Sequence, residues 1–217
     1  MKILTHANKF FALIGCLLLA GIFALANASR AADPRQCPAD IAQAVEAGDA
    51  AAFERLVDVD AILNEALTLF LAEMRKPEVA NQLPPVLALM FAQAGSGGEG
   101  GANIRNLLFT ETRAFVLNGV SSGAFAGRTP TGGDARGILA PLFAGASTGR
   151  KEIRRIGHAD PDGSDWLVPF VVHDGGNGRD YPVVGRISPV AGSFRLTRVE
   201  NLEELFARVS EESRAAN

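Results

Sequence analysis

The sequence predicts an α+β domain: N-terminal helices packed on a four-stranded antiparallel meander and closed by a C-terminal helix. Three observations carry this. From Pro38 to Phe143 apolar residues recur at three- and four-residue spacing, the period of an amphipathic helix. From Ile153 to Val199 the chain breaks into short strand-like runs whose turns are too short to hold a crossover helix. After Asn201 the helical period returns, and helices placed this way cover one face of a sheet.

Each element has its punctuation. Residues 29–37 read as a flexible arm and 38–217 as a single domain. Pro38 suits a first helical turn, followed by Ile41, Ala42 and Val45 at helical spacing. Gly48 ends that helix, and Asp49 caps a second with Phe53, Leu56 and Val57 as its apolar residues. Asp58 or Asp60 caps a third, whose stripe of Ile62, Leu63, Ala66, Leu67, Phe70, Leu71 and Met74 is stopped by Pro77. Pro84-Pro85 opens a short helix to Phe91, so apolar at Val86, Leu87, Leu89 and Met90 that burial of all four is expected. Gly95 to Gly101 holds five glycines and reads as a linker. A phosphate cradle would need a leading strand and a following Lys-Ser or Lys-Thr pair. A helix from about Asn103 to Leu117 turns Ile104, Leu107, Leu108, Phe115 and Val116 inward. Asp134 caps a last short helix with Ile138, Leu139, Leu142 and Phe143.

The strand-like runs are Ile153–His158, Trp166–His173, Tyr181–Ile187 and Phe194–Val199. The second is apolar on both faces, which places it centrally, and Pro169 within it marks a bulge or a gap in the ladder. In the closing helix Leu202, Leu205, Phe206 and Val209 form the stripe, with Asn201 and Glu204 at capping-box spacing.

The first 28 residues read as a signal peptide. Lys2 and Lys9 precede an apolar run of 17 residues, Phe10 to Ala26, and Ala26-Asn27-Ala28 supplies the small residues of a cleavage site before Ser29. The run is also at the short limit of a membrane span, so a retained anchor is the alternative. Either outcome puts the domain outside the cytoplasm, periplasmic or secreted, because the positive flank stays inside. Leu13-Ile14-Gly15-Cys16 matches a lipoprotein site, but most of the apolar core would follow the cysteine rather than precede it.

Without the leader the chain keeps 19 basic and 24 acidic residues, a net charge of −5. That excludes general nucleic-acid binding, which rests on basic surface. Cys37 becomes the one thiol, so no internal disulfide forms and the domain stands on its apolar core. The cysteine is expected to be inert, on the flexible arm.

Ala44-Val45-Glu46-Ala47-Gly48-Asp49, continuing through Phe53 to Val57-Asp58, resembles the helix-Gly-Asp-helix opening of cystatin-like (nuclear transport factor 2-like) domains, which also end in an antiparallel sheet. With Val57-Asp58-Val59-Asp60 and Arg198-Val199-Glu200-Asn201-Leu202, the whole resembles exported bacterial proteins grouped as a domain of unknown function. The matching positions are caps and core, so the resemblance transfers no catalytic residue.

Candidate sites are few. Pairing Asp160 with Asp165 sets His158 opposite Leu167, six strand residues from His173, or roughly 20 Å. Two ligands so placed share no ion, and no metal or other cofactor is expected. Asp160, Asp162 and Asp165 crowd one turn but lack the spacing of a calcium loop. Across the two hairpins His173 meets Glu152 and Asp180, an acid–base unit by residue type. Ser188 and Ser193 fall in other turns and no Gly-x-Ser-x-Gly elbow is expected, so no nucleophile is paired with it. Arg150, Lys151, Arg154 and Arg155 form the one basic cluster. It is either a patch for an anionic partner or membrane surface, or an edge strand guarded against aggregation. Trp166 and Tyr181, each unique, fall on adjacent strands as a ligand-stacking pair or as core.

These observations point to a non-enzymatic exported domain that binds a protein partner or a small apolar ligand between helices and sheet. The alternative is a hydrolase or isomerase using carboxylates such as Asp58, Asp60, Glu152 and Asp180. The leader is testable by itself: N-terminal sequencing of protein recovered from the cell envelope should read from Ser29, whereas Met1 would mean an anchor and a lipid on Cys16 a lipoprotein.

Overall fold

A computed structural model describes residues 33–81, 83–129 and 149–215. The chain there forms helices α1 (Gln36–Ala47), α2 (Ala50–Leu56), α3 (Val59–Met74), α4 (Pro77–Ala80), α5 (Pro85–Ala94) and α6 (Gly98–Ser121). Strands β1 (Lys151–Arg154), β2 (Asp160–Asp162), β3 (Asp165–Asp174), β4 (Arg179–Val190) and β5 (Ser193–Val199) follow, and α7 (Leu202–Ala215) closes the chain. The fold is α+β as predicted. The leader, and the helix expected after Asp134 with Ile138, Leu139, Leu142 and Phe143, lie outside the described residues. No helix among the described residues is long and apolar enough to cross a membrane.

The sheet is antiparallel in the order β1-β3-β4-β5, with β2 also on β3. Strand alternation then decides what is buried. Val168, Phe170 and Val172 of β3 and Tyr181, Val183 and Ile187 of β4 point inward, and all are buried. Alternate residues such as Pro169 and Pro182 stay exposed on the opposite face. The inner face packs with α1, α3 and α7, and α5 and α6 lie against the helices, so the core is shared by successive layers.

The predicted caps are in place. Gly48 closes α1 at φ 72°, a conformation that costs glycine least, and its N–H reaches Ala44 and Val45. Asp49 accepts the Ala52 N–H and Asp58 the Ala61 N–H, starting α2 and α3. Asp60 is not a cap but pairs with Arg113 of α6.

Several expectations need correction. Residues 36 and 37 belong to α1 rather than to an arm: Cys37 and Pro38 are buried, and Cys37 Sγ lies 3.9 Å from the Leu56 carbonyl. Burial pushes that thiol up to about 12, the physical basis of an inert cysteine. The glycine-rich stretch is mostly helix, since α6 begins at Gly98. Gly101 is buried there, and a Cβ on it would stand 2.5 Å from the Gln93 carbonyl, so these glycines let the start of α6 approach the end of α5. In α5 only Phe91 and Ala94 are buried, whereas Val86 and Leu89 are 69% and 68% exposed. The helix meets α3 and α6 along one side, so an all-round apolar composition leaves two large side chains in solvent. Leu107 of α6, expected inward, is also exposed.

The first strand of the meander is two pieces. β1 pairs as Glu152↔His173, but β2 pairs as Asp160↔Leu167, not with Asp165, a register two residues off. The break falls at Pro169, the ladder gap expected there: Pro169 has no N–H to give, and only its carbonyl is used, by Gly157. His158 lies in that break and is exposed.

Asn201 does not make a capping box. Its side-chain oxygen accepts the Val184 N–H at 2.9 Å and its amide donates to the Pro182 carbonyl at 2.9 Å. β5 ends at Val199, so this amide continues the ladder along β4 where the strand partner has run out. Asn201→Ala should therefore cost about 1 kcal/mol, the worth of a typical hydrogen bond or slightly more, in urea unfolding.

Candidate functional site

Two places gather polar chemistry, and the first is the outer sheet face. Glu152, His173 and Asp180 stand in one row across β1, β3 and β4, as the hairpin arithmetic anticipated. His173 Nδ1 is 2.8 Å from Asp180 Oδ1. Arg154 and Arg150 pair with Glu152, and Arg155 with Asp180. The Arg154 hydrogen bond holds the Glu152 carboxyl below its usual range, and the His173 hydrogen bond does the same for Asp180.

The basic cluster is split by the pleat. Arg150, Arg154 and Arg155 are on the surface, each paired with a carboxylate. Lys151 points the other way, its side chain 0% exposed and paired with the equally buried Asp174. Trp166 and Tyr181 share the inner face, yet Trp166 pairs with Ile187 and Tyr181 with Val172. They are six positions apart, roughly 20 Å. Tyr181 is held by Asn177 and Glu212 through its hydroxyl, with the Arg208 guanidinium 5.5 Å from its ring centre. The four carboxylates named for an acid–base mechanism do not converge: Asp58 is at the start of α3 beside Arg195, Asp60 is on Arg113, and Glu152 and Asp180 are in the sheet row. Among the described residues no group of three or more His, Cys, Asp or Glu is arranged to hold a metal ion.

The second place is a cleft of about 770 Å³ between the α1–α2 corner and the β4–β5 hairpin. Ala44, Ala47, Ala52, Leu56, Val190 and Phe194 give it an apolar wall, and Val190 is 45% exposed. Asp40, Asp49, Glu54, Arg55 and Arg195 bring charge to it. The hairpin turns through Ala191 and Gly192 at φ 50° and 81°, the paired left-handed conformation of a tight two-residue turn. At the first position asparagine is the common choice; alanine adds no polar group of its own to the cleft beside Ser193 and Arg195.

Nothing in the sequence marked this cleft. Phe194 and Arg195 read as strand residues, and Arg55 falls in the second helix among apolar positions that carry the reading instead. Only the three-dimensional approach of hairpin and corner joins them. One expectation is corrected by the sequence itself: a Gly-x-Ser-x-Gly stretch is present, Gly119-Val120-Ser121-Ser122-Gly123, with the spacing of a nucleophile elbow. Ser121 ends α6, however, with its hydroxyl 3.4 Å from the Asn118 carbonyl, and no strand leads into it. No protein-family model matches the chain, and no curated protein or solved structure is similar to it.

The sheet row makes a pH prediction. Glu152 and Asp180 titrate lower folded than unfolded, so between the two pKa values the unfolded chain binds more protons. Their stabilisation is complete above the unfolded carboxylate range, near pH 4, and fades as pH falls below it. Melting temperature followed from pH 6 to pH 3 should drop less steeply for the Glu152→Gln, Asp180→Asn double variant than for wild type.

Proposed function

We propose that this chain is an exported, non-enzymatic binding domain that holds a small apolar ligand in the cleft between the α1–α2 corner and the β4–β5 hairpin. The apolar wall of that cleft carries the reading: a concave site lined by small alanines around Leu56, Val190 and Phe194, at the junction of helices and sheet. Export rests on the three-zone N-terminus. The hydrolase or isomerase alternative draws less support, because an acid and a base must face a common point, whereas Asp58, Asp60, Glu152 and Asp180 sit at separate places beside separate cations.

The neutral, solvatochromic dye Nile red tests this. Its emission should rise and shift to the blue with wild-type protein and be displaced by octanol. Val190→Asp, which sets a charge in the wall at an exposed position that folding tolerates, should weaken the dye by about tenfold or more. Val86→Asp, on the exposed face of α5, should leave it unchanged. Dye binding lost in Val86→Asp and kept in Val190→Asp would overturn the assignment.

A further inference from the structure

The charges around the cleft are not equally satisfied. Asp40 accepts the Gln36 side-chain amide at 2.9 Å, Asp49 accepts the Ala52 N–H at 2.8 Å, and Glu54 is paired with Arg113. The cations differ. The Arg55 side chain has no ion pair or hydrogen bond among the described residues. Arg195 reaches the Glu54 carbonyl at 3.4 Å, the Val57 carbonyl at 3.3 Å and Asp58 at 3.4 Å, all long, and its Nε–H is buried with no acceptor. Other described arginines do better: Arg186 is 2.6 Å from Glu200, Arg198 2.9 Å from Glu65 and Arg113 2.8 Å from Asp60. Among the arginines whose side chains are described, Arg55 and Arg195 alone make no contact shorter than 3.3 Å, and both line the cleft.

Building on the cleft as the binding site, we propose that its ligand carries a single carboxylate on an apolar body, the body lying against Val190, Phe194 and Leu56 and the carboxylate received by Arg195, with Arg55 at the rim. A guanidinium exchanging three long contacts for one short charge-assisted hydrogen bond gains from the exchange, and the partnered acids of the wall have no such gain to offer an amine. One charge fits better than two. Arg195 has only its Nε–H uncommitted, and Asp40, Asp49 and Glu54 nearby repel a dianion such as a phosphate monoester more strongly than a carboxylate.

The test compares octanoate, octanol and octylamine by calorimetric titration of the full mature chain, with arginine Nε–H resonances followed by NMR. Octanoate should bind about tenfold or more tighter than octanol, a gain typical of a charge-assisted bond. Arg195→Lys should bring octanoate down to the level of octanol and leave octanol unchanged, and Arg55→Gln should give part of that loss. Only octanoate should move the Arg195 Nε–H resonance, a readout that stands if Arg195→Lys does not fold. Equal affinities for octanoate and octanol would overturn the carboxylate while leaving the apolar cleft intact. Tightest binding by octylamine would transfer the role to Asp40 and Asp49 and overturn it too. Binding of none of the three would remove the cleft reading and this proposal with it.

Discussion

The structure depends on covering one face of β3 and β4. Val168, Phe170, Val172, Tyr181, Val183 and Ile187 form a continuous apolar surface, each residue worth roughly 1.5–3 kcal/mol of burial for a large side chain. Such a sheet is not stable alone, because its inner face would stand in water. α1 and α3 from before the meander and α7 from after it supply the cover, so the chain cannot close until its last helix docks. Leu202, Leu205, Phe206 and Val209 of that helix are all buried, and Tyr181 reaches α7 through Glu212.

Covering a face leaves edges, and each described edge is closed differently. On the β5 side, Val57 forms a parallel bridge to Leu196 and the Asp58 N–H reaches the Leu196 carbonyl, so the link between α2 and α3 acts as a short extra strand. Further along β4, Asn201 supplies the missing pair with a side-chain amide. The far side is held by β1 and β2, interrupted at Pro169 and fringed with Arg150, Arg154 and Arg155, devices that discourage pairing with another sheet. Arginines elsewhere act as fasteners between distant segments: Arg113 joins α6 to α2 and α3, Arg198 joins β5 to α3, and Arg186 gathers Asp162, Asp165 and Glu200. Exposed pairs of this kind add little stability one by one. Their consequence is electrostatic, since cations tied to carboxylates leave little free positive surface for a polyanion.

Local chemistry made much of this legible. Gly48, Asp49 and Asp58 act at helix ends through their own backbone neighbours, so their roles could be read from position alone. Asp180 opposite His173 followed from counting across one short turn, whereas Glu152 joins that row only because the break at Pro169 offsets the two-residue difference at the first turn. What failed involved partners distant in sequence. Val86 and Leu89 look like core by composition, but whether an apolar helix is surrounded depends on how many elements reach it. Lys151 looks like surface by charge; the pleat sends it inward, and Asp174 makes burial tolerable. Asn201 has the spacing of a cap, yet an unpaired stretch of β4 had the stronger claim on its amide. The cleft was the least legible of all. It is made from α1, α2 and a hairpin about 140 residues later in the chain, and no one of these segments bears a motif.

Its position nevertheless follows from the way the fold is held. Toward the β4–β5 turn the sheet extends past its neighbours: β4 ends at Val190 and β5 starts at Ser193, beyond the last pairing of β3 with β4 at Ile187. The α1–α2 corner, fixed by Gly48 and Asp49, faces that overhang without filling it. Two local rules are broken there at once. Ala191 takes a left-handed conformation that costs an ordinary residue roughly 1–2 kcal/mol, and Arg195 keeps long contacts and a buried donor without an acceptor. Among the described residues Arg150 also has a buried Nε–H without a hydrogen-bond acceptor, but it lies 3.0 Å from Glu152, and left-handed positions are mostly glycine. Strain and an unmet donor thus meet in one concave, partly apolar place, and this is the ground of the proposal made for it, because interactions withheld within a chain are those a ligand can complete.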